Sequence, residues 1–210
     1  MSKSKLMCWN EHVSMNTFLF SSFVLGLVLY NNLYTPYKIK EIHSLAAYLF
    51  LLSIILMQLV EFFLWRNLTN DYNLVWSGIG LGLLLLQPIF SLSLITEVGL
   101  RELLAVIYVF WVLVLGKLTV EKTVIGENGQ LEWGFFKGYS LFVFGWFVFL
   151  FIGPIYAELW VEVSLALVLG MITFIRYHLP ETRGSVWCWF VNILLLYYAW
   201  LILFWYPFDR

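Results

Sequence analysis

Cys8, Glu11, His12, Ser14 and Asn16 crowd into "MCWNEHVSMNTFLF" (Met7 to Phe20), at the threshold of an apolar segment. Thiol, imidazole and carboxylate groups are the usual ligands of zinc or iron, and the usual acids and bases of catalysis. Further polar residues interrupt apolar stretches elsewhere: Gln58 and Glu61 in "QLVEFFLWRN", Gln87 before Pro88, Arg176 and His178 in "IRYHLPE", Cys188 and Asn192 in "SVWCWFVN". Glu61 is read as the only acidic residue well inside an apolar segment. A carboxylate at the centre of a membrane helix costs about 2.5–3.5 kcal/mol on insertion scales, so it turns toward other protein groups. Its candidate partners are Arg176, His12, His178 or a bound cation. The structural alternatives are that Glu61 snorkels to the headgroups, or pairs with Arg66 or Arg176 to fix helix packing. In the metal version of the site, His12, Glu61 and His178 hold zinc or iron. In the ligand-binding version, Gln58, Glu61, Gln87 and Arg176 contact a small molecule or lipid. No HxxxH or CxxC spacing pins either one, so the grouping depends on the fold. Cys8 and Cys188 read more simply as small packing residues.

The elements that must position these groups follow from composition. Hydrophobic residues make up 62% of the 210, charged ones 12%, and the mean hydropathy is +0.86. Soluble domains carry about 25% charged residues, so much of this chain is built for lipid. Twelve basic against 13 acidic residues argue against a nucleic-acid partner. Two cysteines make no disulfide framework. A spanning helix needs about 20 apolar residues, and seven segments qualify, roughly 15–33, 44–65, 74–95, 99–117, 138–156, 158–176 and 185–206. The expectation is a single integral membrane domain over 1–210, an all-α bundle of seven transmembrane helices. The break between the fifth and sixth spans, at Pro154 and Glu158, is the least marked. The excess of Lys and Arg on the N-terminal side of the alternated spans predicts a cytoplasmic N-terminus.

One loop departs from this pattern. In "KLTVEKTVIGENGQLEWGFF" (Lys117 to Phe136), two strand-forming runs flank Asn128-Gly129, a strong hairpin turn signal. A small β-hairpin is expected between the fourth and fifth helices, resting on helix ends because isolated hairpins are marginal. Alternating the spans gathers Cys8, Glu11, His12, Gln58, Glu61, Arg176, His178, Cys188 and Asn192 at the N-terminal-side end. Glu11 and His12 are placed just before the first helix. Gln87-Pro88 predicts a kink in the third helix, with Gln87 able to satisfy the freed carbonyl. Gly78, Gly80 and Gly82 predict a flat face for close helix approach. Tryptophans near segment ends, including Trp65, Trp76, Trp133, Trp187 and Trp205, read as an interfacial belt. No central lysine in the last helix, row of arginines, potassium-filter sequence or nucleotide fingerprint is present.

The chain resembles a family of small multi-span membrane proteins of uncharacterised activity. These begin Met-Cys-Phe/Trp-Ser with a further Ser nearby, and carry Gln-x-x-Glu-x-x-x-Trp late in the second helix. The matching residues are Met7-Cys8-Trp9 with Ser14, and Gln58, Glu61 and Trp65. Asn10 stands where that pattern has Ser, and six residues precede Met7, which makes Met7 an alternative start. The resemblance implies a shared architecture and a cluster at the N-terminal side. A more distant likeness is to the seven-helix hydrolases and receptors that include alkaline ceramidases, in which a histidine-held metal activates water. This chain departs from them in having no histidine after His178. Three readings follow: a binding or structural membrane protein, a metal-dependent membrane hydrolase acting on lipid, and a small transporter or channel using Gln58, Glu61 and Gln87.

Overall fold

The computed structural model describes residues 10–116, 119–133, 140–176 and 182–208. Cys8 and His178 lie outside these residues, as does the side chain of Arg176. The helices are α1 Glu11–Tyr34, α2 Leu45–Arg66, α3 Tyr72–Leu92, α4 Val98–Leu115, α5 Ser140–Tyr156, α6 Trp160–Arg176, α7 Arg183–Val191 and α8 Ile193–Trp200. A wide π turn, Leu201–Trp205, carries α8 into a last turn, α9 Tyr206–Phe208. Among the described residues five helices are long and apolar enough to cross a membrane: α1, α2, α3, α4 and the rod Gly184–Phe208. Two shorter apolar helices, Leu141–Tyr156 and Trp160–Thr173, lie between them. This is a mostly helical architecture compatible with a membrane protein.

Helix α1 begins earlier than the apolar run does. Asn10 is its N-cap, accepting at Oδ1 from the backbone N–H of His12 (3.0 Å) and Val13 (3.1 Å). Glu11 and His12 therefore belong to the first helical turn rather than to a segment before it. Hydropathy cannot detect a polar first turn, whereas a capping Asn can. Helix α2 starts in the same way, with Ser44 Oγ accepting from Ala47 N–H at 3.1 Å.

Helix α2 is the hub, packing on α1, α3 and α7, while α3 also packs on α5. Helix α4 buries only Tyr108 and exposes Val106, Phe110 and Leu113 to the surroundings. The glycines of α3 do not act together. A Cβ on Gly80 would meet Val60 of α2 at 3.2 Å, a Cβ on Gly78 would sit 3.7 Å from Val120, and one on Gly82 would meet nothing within 4 Å. Residues two apart on a helix point to opposite sides, so only Gly80 serves the α2–α3 contact. The closest approach lies elsewhere, where a Cβ on Gly153 of α5 would come 1.9 Å from the Ser91 carbonyl oxygen of α3.

Pro88 removes the N–H that would bond the Leu84 carbonyl, and its ring crowds that turn. The open Leu84 carbonyl is met from another helix, and a second donor reaches the adjacent Leu85 carbonyl. Trp146 Nε1 of α5 donates to Leu84 O at 2.8 Å, and Tyr108 Oη of α4 donates to Leu85 O at 2.8 Å. Gln87, expected in this role, instead donates to Ser53 O of α2 at 3.3 Å. Its side chain leaves the helix on the α2 side, away from Trp146. The tryptophan belt also needs correcting, because Trp133 and Trp187 are 0% and 7% exposed and belong to the core.

The α5–α6 break falls after Pro154, which stays inside α5. Glu158 adopts a left-handed backbone (φ 58°), a conformation that ends helices and that L-residues other than Asn, Asp and Gly seldom take. The hairpin is present but short: β1 Val124–Ile125 pairs antiparallel with β2 Leu131–Glu132, Ile125 opposite Leu131. Gly129 supplies the positive φ (80°) of the turn. Asn128 Nδ2 donates to Thr182 Oγ1 at 2.8 Å, tying the turn to the start of α7. Leu131 and Trp133, both fully buried, plug the bundle beside Met57, Val60 and Leu64.

The hairpin is anchored by a buried polar knot. Asn73 of α3 donates through Nδ2 to Thr123 O (2.9 Å) and accepts at Oδ1 from Thr123 N–H (2.8 Å), imitating a strand partner. Ser77 Oγ and Thr123 Oγ1 lie 2.9 Å apart, and all three residues are fully buried. Asn73→Ala would leave the Thr123 carbonyl without that partner, at about 1–3 kcal/mol, and the Thr123 N–H with only its 3.2 Å bond to Ser77 Oγ. The expected outcome is cleavage within residues 119–133 by added protease at concentrations that leave wild type intact. Equal resistance of the two proteins would sink this assignment.

Candidate functional site

The buried face of α2 carries Ile55, Met57, Gln58, Val60, Glu61 and Leu64. Gln58 and Glu61, three residues apart, share a helix face. Opposite them α7 presents a pair with the same spacing, Ser185 and Cys188. All four are nearly inaccessible, at 0%, 2%, 6% and 3% exposed. The Ser185 hydroxyl and the Gln58 amide both approach the Glu61 carboxyl, and Cys188 lies within its electrostatic reach. Gln58 stops short of hydrogen-bonding geometry. Among the described residues neither Nε2 nor Oε1 of Gln58, nor Oε1 of Glu61, has a hydrogen-bond partner. An open donor, an open acceptor and a carboxyl oxygen thus lie buried together between α2 and α7.

The polar stripe continues along α7. Asn192, one turn beyond Cys188, donates through Nδ2 to Cys188 O at 2.7 Å and accepts at Oδ1 from Ser21 Oγ of α1. A second buried carboxylate lies further along. Glu162, in the first turn of α6, is 8% exposed and accepts from Tyr198 Oη at 2.7 Å. A small cavity of about 50 Å³ is lined by Gln87, Glu162 and Cys188, with Phe50, Ile54, Phe151 and Trp187 among its apolar walls. Holding a water takes about 10–15 Å³. Cys188 stands between the two carboxylates, with Glu61 on one side and the cavity on the other.

No family model, curated protein or solved structure matches this chain. The site is accordingly read from its own chemistry.

Gln58 and Glu61 come together as expected from their spacing, with Gln87 further along at the cavity. Glu61 does not snorkel, being 2% exposed. Arg66 lies with its Nε 3.8 Å from Glu11 Oε2 and its guanidinium over the Phe62 ring. The His12 side chain is 81% exposed, with Nε2 3.8 Å from Glu11 Oε1. Among the described residues no three His, Cys, Asp or Glu side chains are grouped to hold a metal ion. His178 and the Arg176 side chain fall outside those residues. Ser185 and Glu162 were not singled out from the sequence. Glu162 carried a signal, as an acid flanked by "LWV" and "VSLALV".

Proposed function

We propose that this chain is a seven-span, multi-pass integral membrane protein with a cytoplasmic N-terminus, which binds a small polar ligand at Gln58 and Glu61. In this reading α5 and α6 are the two shorter spans. The observation that carries the site is the meeting on Gln58 and Glu61, inside an apolar bundle, of polar atoms with no hydrogen-bond partner among the described residues. A buried polar group without a partner costs about 1–3 kcal/mol, so a species that offers both a donor and an acceptor gains more here than in water. Ser185 and Cys188 shape the far wall. The hairpin residues Leu131 and Trp133 restrict entry.

The test is thermal unfolding of detergent-purified wild type beside Glu61→Gln and Gln58→Leu, with sodium, ammonium, zinc and acetamide as separate probes. At least one probe is expected to raise the wild-type midpoint in a saturable way, and the effect is lost in both variants. At a hundred times its dissociation constant a ligand stabilises by about 2.7 kcal/mol. Identical responses of all three proteins to every probe would refute the reading.

A second reading, a small transporter or channel, is favoured by the cavity joining Cys188, Gln87 and Glu162. The polar groups then form stations for a proton or small cation passing from Glu61 toward Glu162. Proteoliposomes holding a pH-sensitive dye would acidify under an imposed gradient with wild type, and not with Glu61→Gln.

A further inference from the structure

A second site lies at the opposite end of the bundle from Glu61, where the segment between α1 and α2 folds back over the end of α1. A cleft of about 480 Å³ opens there, lined by Leu29, Leu33, Lys38, Lys40, His43 and Tyr48 among others. The basic residues are held by a fixed backbone. Asn32 Oδ1 accepts from Ile39 N–H at 2.7 Å, and its Nδ2 donates to Ile39 O (3.3 Å), to Ile42 O and to Tyr48 Oη (3.0 Å). The Asn31 amide donates to the Tyr37 carbonyl, and Thr35 Oγ1 donates to Asn31 Oδ1 at 2.7 Å.

Ile39 is extended and fully buried. Its neighbours Lys38 and Lys40 are exposed and line the cleft on either side of it. His43 adds an imidazole, oriented by the bond from its Nδ1 to the Lys40 carbonyl. Glu41, the acid of this segment, lies within electrostatic reach of Tyr197 and Tyr206. The remaining wall is apolar: Leu29 and Leu33 of α1 are 43% and 62% exposed on a helix long and apolar enough to cross a membrane.

We propose that this cleft binds an anionic phospholipid, with the phosphate held by Lys38, Lys40 and His43 and an acyl chain lying along Leu29 and Leu33. Two ammonium groups above an apolar wall match the amphipathic chemistry of such a lipid. A freely soluble anion would use only half of it.

Native mass spectrometry of the delipidated full chain, titrated separately with phosphatidylglycerol and phosphatidylcholine, tests this. One phosphatidylglycerol is expected to bind more tightly than phosphatidylcholine. A lysine near an anionic headgroup contributes about 1 kcal/mol, so Lys38→Gln weakens binding about five-fold and the Lys38→Gln/Lys40→Gln pair about 30-fold. Arg101→Gln, a change to a basic residue outside the cleft, keeps the wild-type preference. Both lysines are exposed, so the variants keep the wild-type unfolding midpoint. Equal binding of the two lipids, or undiminished phosphatidylglycerol binding by the double variant, overturns the proposal. Full displacement of the lipid by inorganic phosphate at equal concentration also overturns it, because the occupant would then be the free anion.

Discussion

Gly153→Val is expected to abolish folded protein, and Gly153→Ala to yield a severely destabilised one. A Cβ at this position would lie 1.9 Å from the carbonyl oxygen of Ser91 and 2.5 Å from its carbonyl carbon. Both are backbone atoms, so no rotamer change relieves the overlap. Helices α3 and α5 would have to separate, and the hydrogen bond from Ser91 Oγ to Leu150 O (2.6 Å) would be lost with the contact. Overpacking a core where side chains can yield costs about 1–3 kcal/mol. A clash with backbone lies at or above the top of that range. Gly82→Ala is the matched control, since nothing lies within 4 Å of its Cβ position and alanine favours a helix by about 1 kcal/mol over glycine. Monodisperse yield in detergent and thermal midpoint are the readouts. A Gly153→Ala protein as stable as Gly82→Ala would contradict the α3–α5 contact.

Trp146→Phe is expected to lower stability by about 3 kcal/mol, and the loss should depend on Pro88. The indole N–H is the donor to Leu84 O, and Trp146 is 2% exposed. Phenylalanine removes that donor, which costs about 1–3 kcal/mol for a buried acceptor, and leaves space where the larger ring packed. Pro88→Ala restores a backbone N–H facing the same carbonyl. In that background Trp146→Phe loses mainly its packing contribution. A double-mutant cycle measured by denaturant unfolding in mixed micelles is therefore expected to show a coupling of about 1 kcal/mol or more. Equal cost in both backgrounds would mean that the Trp146–Leu84 bond contributes nothing to stability.

How much of this was legible in the sequence differs by element. Helical segments stood out because apolar runs bounded by "RNLTND" or "TPYK" have one physical solution in lipid. The hairpin was legible from Asn128-Gly129 between β-branched runs. What anchors it was not, because Asn73 and Thr123 are far apart in sequence and neither residue type announces a partner. The start of α1 was misplaced because Asn10 caps a polar turn. Glu61 was legible as a carboxylate that must turn inward. Its neighbours Ser185 and Cys188 depended on the rotation of α7 about its axis, which the nearly uniform apolarity of "SVWCWFVNILLL" leaves undefined. The partner of the carbonyl that Pro88 frees was missed for a related reason: it can be met from any neighbouring helix, and the sequence favoured the nearest amide.

The Pro88 kink bears on the order in which the chain is assembled. Helix α3 leaves the ribosome with the Leu84 carbonyl open, and the group that meets it, Trp146, belongs to a segment made later. In hydrocarbon an open carbonyl costs several kcal/mol, so α3 released alone into the bilayer would be a poor lodger. It reaches its full stability only when α5 has been synthesised and docked. A ribosome stalled before α5 would hold a nascent chain with that carbonyl still waiting, a substrate for membrane quality control rather than a half-built protein.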